Sequence, residues 1–195
     1  MRQPRVVVLL ATYNGARHLA EQLATLDRQT VDQIDVLVSD DGSTDTTREV
    51  LHAAAQSWRK GLFDIVDGPC SGFSENFRSL ILRTDTTADF FAFCDQDDLW
   101  DDNKLEVAVT RLDALAASSP ALYGSATRTI TEDGRPVGTS PIMRRLPSFR
   151  NALVQSIAGG NTMVMNRTAM RLMQVASGDV RFVSHDWWAY LVVSG

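Results

Sequence analysis

Phe90-Phe91-Ala92-Phe93-Cys94-Asp95-Gln96-Asp97-Asp98-Leu99-Trp100 decides the fold of this chain. An unbroken apolar run, as a strand buried on both faces requires, ends in three carboxylates within four residues. Carboxylates packed this closely repel one another and are costly to strip of water. A hard divalent cation removes that cost, because it prefers oxygen donors. The competing reading of an Asp-x-Asp taken alone is a solvated acidic turn. A second acidic pair, Asp40-Asp41, also follows a strand directly, and that favours a shared site.

Upstream, Val6 to Ala11 is another continuous aliphatic run, broken by Tyr13-Asn14-Gly15. Leu19, Leu23 and Leu26 then recur at helical spacing through Arg28. Ile34 to Val38 reads as the second strand, and Ser43, Thr44 and Asp45 as N-caps of a helix reaching about Trp58. A short strand at Phe63 to Val66, a loop at Gly68 to Gly72 and a helix over Ser74 to Leu82 lead to Phe90. This alternation predicts an α/β fold with a mostly parallel sheet and helices on both faces. Ligands in such sheets bind at the carboxyl ends of the strands. Thr12 to Asn14, Asp40-Asp41 and Asp95 to Asp98 all fall there.

Downstream the pattern changes. Asp102 to Ser118 reads as an amphipathic helix with Leu105, Val109, Leu112 and Leu115 facing the core. Leu122 to Ile130 and Arg135 to Thr139 flank the hairpin signal Glu132-Asp133-Gly134. A short helix over Phe149 to Ile157, a strand over Thr162 to Met165 and helices over Thr168 to Ala176 and Asp186 to Val193 complete the reading.

Composition narrows the class. With 195 residues, 44 % hydrophobic and 22 % charged, the chain suits one globular domain. A net charge of −5 argues against general nucleic-acid backbone binding. The two cysteines, Cys70 and Cys94, follow no secretory apolar segment and read as reduced thiols of a cytoplasmic protein. No apolar run is long enough to span a bilayer, which leaves peripheral attachment at the inner face of a membrane open.

Ala-Thr-Tyr-Asn-Gly at 11–15, Val-Ser-Asp-Asp-Gly-Ser-Thr-Asp at 38–45 and Phe-Cys-Asp-Gln-Asp-Asp-Leu-Trp at 93–100 together resemble the family 2 glycosyltransferases of the GT-A fold. Gly159-Gly160-Asn161-Thr162 and His185-Asp186 extend the resemblance, whose nearest form is the bacterial rhamnosyltransferase-like branch. It implies a nucleotide-binding half over 1–100, an acceptor-side half over 101–195 and a set of roles. Thr12, Tyr13 and Asn14 would border the nucleobase, with the flat Tyr13 ring suited to stacking. Asp41 would accept from a base imide N–H, and Asp40 would face the ribose or the sheet edge. Asn76 and Arg78 would lie beside the nucleotide, a solvated helix face being the alternative, since this chain has Ser74-Glu75-Asn76 where the family often has Ala-Arg-Asn.

By the same resemblance Asp97 would ligate the metal, Mn²⁺ or Mg²⁺, and Asp95 the metal or the ribose. Gly160 would face the donor sugar and the acceptor, against the plainer reading of a bend. Asp186 would be the catalytic base. His185, where the family usually has Glu, would orient Asp186, bind metal or diphosphate, or be a structural histidine. Trp100 reads as a wall of the sugar pocket or as core, and Trp187 and Trp188 as acceptor-side walls, one of them core. The chain ends nine residues after Asp186, where family members usually continue, so a truncated piece and a short natural form are both open. The Gln-x-x-Arg-Trp motif of processive synthases does not occur.

The implied function is inverting, metal-dependent transfer of a sugar from a UDP- or dTDP-linked donor to a carbohydrate or lipid-linked acceptor, in bacterial surface polysaccharide synthesis. A nucleotide-sugar binding module without turnover is the alternative. A sugar nucleotidyltransferase ranks lower, because it wants a Gly-rich loop with a basic residue where Thr12-Tyr13-Asn14-Gly15 stands.

Overall fold

The structure is a computed structural model that describes residues 3–141 and 146–195. Strand β1 (Arg5–Thr12) lies between β2 (Gln33–Asp40) and β4 (Phe90–Cys94), with β3 (Phe63–Asp67) beyond β2; all four run parallel. Two further strands close the other side in the order β4-β8-β5, where β8 is Val164–Asn166 and β5 is Leu122–Tyr123. Because β8 is antiparallel to β4, its leading residues arrive at the carboxyl end of β4. The Phe93 N–H donates to the Met163 carbonyl there at 3.2 Å. The predicted mostly parallel α/β architecture, the GT-A type, is what forms.

Alternation along β1 explains the layers. Val6, Val8 and Leu10 pack on one face with α1 (Ala16–Asp27), α2 (Thr47–Ser57) and α4 (Lys104–Asp113). Val7, Leu9 and Ala11 pack on the other with α3 (Phe73–Arg83), α6 (Arg167–Ser177) and α7 (His185–Ser194). Phe91 and Phe93 are fully buried in the second layer, and each contributes about 1.5–3 kcal/mol over exposure.

Several boundaries differ from expectation. Helix α4 stops at Asp113, and the N–H of Leu115 bonds back to Leu112, which leaves the Leu115 side chain in solvent instead of in the core. Helix α5 (Phe149–Ala152) is a single turn, capped by Ser148, and does not reach Ile157. Thr162 belongs to a short 3-10 turn over Gly160–Thr162, so the strand starts at Val164. The stretch expected as one strand to Ile130 divides at Gly124–Thr127. Its second part, β6 (Arg128–Ile130), pairs with β7 (Pro136–Thr139) in a separate hairpin. Ion pairs Arg17–Glu132, at 2.7 Å, and Arg128–Asp101 hang that hairpin beside α1 and the turn after the acidic motif. Exposed pairs of this kind contribute at most about 1 kcal/mol. Helix α2 starts later than expected, with Asp45 accepting from the Thr47 N–H at 3.0 Å; Ser43 and Thr44 bind the Asn14 loop instead. Both cysteines are free, Cys94 buried and Cys70 exposed. Among the described residues no helix is long and apolar enough to cross a membrane.

Candidate functional site

The parallel register gathers the strand ends. Thr12 pairs with Asp40, Asp40 with Asp67, and Leu10 with Cys94, so the residues after Cys94 continue level with the end of β1. Asp95 lies deepest in the acidic turn. Burial pushes its carboxyl up to about 7, and Asp98, Asp97 and Asp186 add to the rise. Asp186 is 91 residues further along the chain, yet its charge reaches Asp95. Burial also raises the Asp98 carboxyl, while a hydrogen bond from the Asn161 side chain opposes the rise.

Lys104, at the first turn of α4, is the cation that faces this group. Its ammonium donates to the Asn161 carbonyl and sits 3.2 Å from the centroid of the Trp100 ring. Burial pushes it down to about 7, against Cys94, Asp98, Asp95 and Asp101, which pull it up. Trp100 is thereby a buried core ring and a seat for Lys104. Lys104 has no part in the sequence reading, and Asn161 enters it only within the Gly159–Thr162 motif. The signal was there in Lys104, a cation four residues after Trp100 at a helix start.

Asp186 opens α7. Its Oδ1 accepts from the Trp187 N–H at 2.7 Å and from the Ser184 hydroxyl, and burial raises its carboxyl. Its second oxygen keeps acceptor capacity. His185 turns the other way. It is 5 % exposed, stacked on Phe77 with centroids 3.6 Å apart and edge-on to Phe93 at 4.8 Å. Burial holds its imidazole neutral, down to about 3, and neither ring nitrogen has a partner among the described residues. Gly160 is small for this ring's sake: a Cβ there would stand 1.9 Å from His185 Nε2. The structure therefore uses the pair for packing that positions Asp186.

The nucleobase side is held differently. Tyr13 is exposed, and its backbone N–H and carbonyl bond the side-chain amide of Gln96. Asn14, with φ +46°, accepts on Oδ1 from the Thr44 N–H at 2.8 Å. Asp40 is consumed internally: it accepts from the Thr12 hydroxyl at 3.1 Å and the Ser43 hydroxyl at 2.5 Å, and pairs with Arg48 at 3.4 Å. These partners hold a fully buried side chain at the edge of the sheet, the second of the two places expected for it. Asp41 is buried, with Oδ2 accepting from the Gly72 N–H at 2.8 Å and Oδ1 without a donor among the described residues. Asn76 donates to the Ser39 carbonyl at 2.9 Å, and its own Oδ1 has no partner among the described residues. Arg78 does not join the site; its guanidinium donates to the carbonyls of Ser177 at 2.9 Å, Val180 at 3.0 Å and Gly178.

Arg181, Phe182, Val183, Ser184, Trp187, Trp188 and Leu191, on both sides of Asp186 in the chain, line an open cavity of about 180 Å³. Trp188 is half-buried against Phe182, and the Trp187 indole donates to the Ala152 carbonyl at 2.6 Å.

Among the described residues no three His, Cys, Asp or Glu side chains close on a metal by themselves. The donors at the end of β4 are all hard carboxylate oxygens, and the crowding that raises the proton affinity of Asp95 and Asp98 is what a cation relieves, so they suit Mg²⁺ or Mn²⁺. Such ions are commonly held by one or two carboxylates, with substrate phosphates and waters completing the shell. The donor set fits on that basis.

Comparison with known proteins bears on the family and the fold. Over 119 residues the chain is 32 % identical to the dTDP-rhamnosyl transferase RfbG of Shigella flexneri, covering 60 % of this chain and 40 % of that one. Its fold matches the S. aureus TarS fragment 1-349 in complex with UDP-GlcNAc, with a TM-score of 0.69 at 18 % identity over 97 % of this chain and 53 % of that one. A mannosyltransferase from Pyrobaculum calidifontis, in complex with GDP-Man and Mn²⁺, matches 62 % of this chain and 35 % of its own, with a TM-score of 0.54 at 25 % identity. The chain thus spans about a third to a half of the proteins it resembles. The model of Glycosyl transferase family 2 matches residues 7–176, most of the chain, and with that match the chain belongs to glycosyl transferase family 2.

Proposed function

We propose that this chain transfers a sugar, with inversion, from a pyrimidine nucleotide-diphosphate donor to an acceptor hydroxyl, in bacterial surface polysaccharide synthesis. The observation that carries the reading is the meeting of the start of α7 with the end of β4: the His185 ring, next to Asp186, lies 4.8 Å from the Phe93 ring, two residues before Asp95. It puts a carboxylate with raised proton affinity beside the place where a donor's diphosphate would be held. The pyrimidine is favoured by the orphaned Asp41 Oδ1, an acceptor that an imide N–H satisfies once the 68–72 loop gives way. The dTDP and UDP in the names of two relatives point the same way.

In this reading the Asp186 carboxylate takes the proton of the acceptor hydroxyl. That oxygen attacks the anomeric carbon from the face opposite the diphosphate, and the bond from that carbon to the phosphate oxygen breaks. Asp97 and Asp95 would hold a divalent cation, which supplies charge neutralisation for the departing diphosphate. Lys104 and Asn161 keep Asp98 and Asp95 in place around it. The cavity beside Trp187 and Trp188 offers apolar and aromatic walls for the acceptor. The acceptor in this reading is a carbohydrate or a lipid-linked sugar, the latter met at the inner face of the membrane.

Asp186→Asn tests the proposal. It keeps donor affinity and slows transfer about 10²–10⁴-fold, the usual contribution of a general base. Unchanged turnover removes Asp186 from the reaction. Donor binding with no turnover in the parent protein makes the chain a binding module.

A further inference from the structure

We propose that Gln96, the residue between Asp95 and Asp97, is a positioning residue that seats Tyr13 for the nucleobase and couples that seat to the diphosphate end of the site. The proposal rests on the function proposed above. Its ground is one side-chain amide used at both ends by one residue. Gln96 Oε1 accepts from the Tyr13 N–H at 2.8 Å, and Gln96 Nε2 donates to the Tyr13 carbonyl at 3.0 Å. Only an amide can do both; glutamate would set an acceptor against the carbonyl, and asparagine is a methylene short.

The rest of the loop is anchored elsewhere. The Asn14 N–H donates to Ser43 Oγ at 2.9 Å, Gly15 N–H to Thr47 Oγ1 at 2.8 Å and Ala16 N–H to Asp45 Oδ2 at 3.2 Å. Tyr13 alone hangs on Gln96. Tyr13 is 56 % exposed, and among the described residues its side chain has neither a hydrogen bond nor a ring partner. A second feature shows that the amide has a built seat. A Cβ on Gly15 would fall 2.2 Å from Gln96 Oε1, although φ −99° there would accept an alanine. The glycine leaves room for the clamp. Because Asp95 and Asp97 flank Gln96 on the same turn, the clamp sets how far the aromatic platform stands from the carboxylates. A ligand that spans base and diphosphate reads that distance, and inorganic pyrophosphate does not.

Calorimetric titration of UDP, dTDP and pyrophosphate, each with Mn²⁺, tests this on Gln96→Met, Tyr13→Ala and the double variant. Loss of a pre-ordered contact weakens the nucleotide about three- to tenfold in Gln96→Met, while pyrophosphate affinity holds. In the Tyr13→Ala background the Gln96→Met step then adds less than about twofold, and in steady state Gln96→Met raises donor KM more than it lowers kcat. Should Gln96→Met not fold, Gly15→Ala displaces the same amide and gives the same pattern. Nucleotide affinity unchanged in both, an equal loss for pyrophosphate, or an undiminished loss in the Tyr13→Ala background overturns the clamp while leaving the functional reading intact. A parent protein that binds neither nucleotide overturns both.

Discussion

Replacing Gly160 by alanine should unfold this protein sooner, and the structure says by how much. The new Cβ would lie 1.9 Å from His185 Nε2 and 2.8 Å from Cδ2 and Cε1, so one of them must move. The ring cannot retreat, because Phe77 stacks behind it at 3.6 Å and Phe93 abuts its edge at 4.8 Å. Overpacking of this kind costs about 1–3 kcal/mol. Gly160 has no positive φ, so alanine recovers about 0.4–1 kcal/mol by restricting the unfolded chain. Steric crowding wins, with a net loss of about 1–2 kcal/mol, or about 2–8 °C in Tm for a domain this size. Urea unfolding followed by far-ultraviolet circular dichroism measures it, provided the m-value is unchanged. His185→Ala opens the space that the methyl needs. In the double variant the Gly160→Ala penalty therefore vanishes, and the coupling is at least about 1 kcal/mol. Simple additivity of the two losses would refute the account of why residue 160 is glycine.

Acid should act through the same ring. The unfolded imidazole titrates at 6.5 and the folded one at about 3, so between those values the unfolded chain holds the extra proton. Stability from this group is intact above pH 6.5 and falls with acid by about 1.4 kcal/mol per pH unit, or about 2 kcal/mol from pH 7.5 to 5.0. In His185→Asn the difference in unfolding free energy between those two pH values shrinks by that amount, whatever constant packing loss accompanies it; an unaltered difference means the ring is not held neutral. Arg78→Met should lower the urea midpoint while leaving UDP and dTDP affinity within about twofold, since its donors serve carbonyls of the 177–180 turn. A selective loss of nucleotide affinity in that variant would return Arg78 to the site.

Much of this architecture is legible in one dimension because β1 and β4 are buried on both faces, and Val6–Ala11 and Phe90–Cys94 announce that in composition alone. Parallel register then does the rest, since it leaves Thr12, Asp40 and Asp95 no choice but to end on one rim. The end of α4 was not legible, because Leu115 continues the apolar spacing two residues past the point where the backbone leaves the helix. Asp40 and Asp41 look equivalent in sequence, yet Thr12, Ser43 and Arg48 absorb the first and leave the second with an idle oxygen. His185 beside Asp186 invites a chemical role. Only the partners Phe77, Phe93 and Gly160, brought from far along the chain, show that its ring belongs to the core. Gln96 was hidden by its neighbours: attention goes to the carboxylates, and its partner Tyr13 is 83 residues away.

Titration of UDP and dTDP with and without Mn²⁺, in the parent protein and in Asp97→Ala, goes to the heart of the account. The parent should bind one of the nucleotides about tenfold more tightly with Mn²⁺, an increment of about 1.4 kcal/mol, and Asp97→Ala should erase that increment. A Mn²⁺ increment that survives in Asp97→Ala would contradict it.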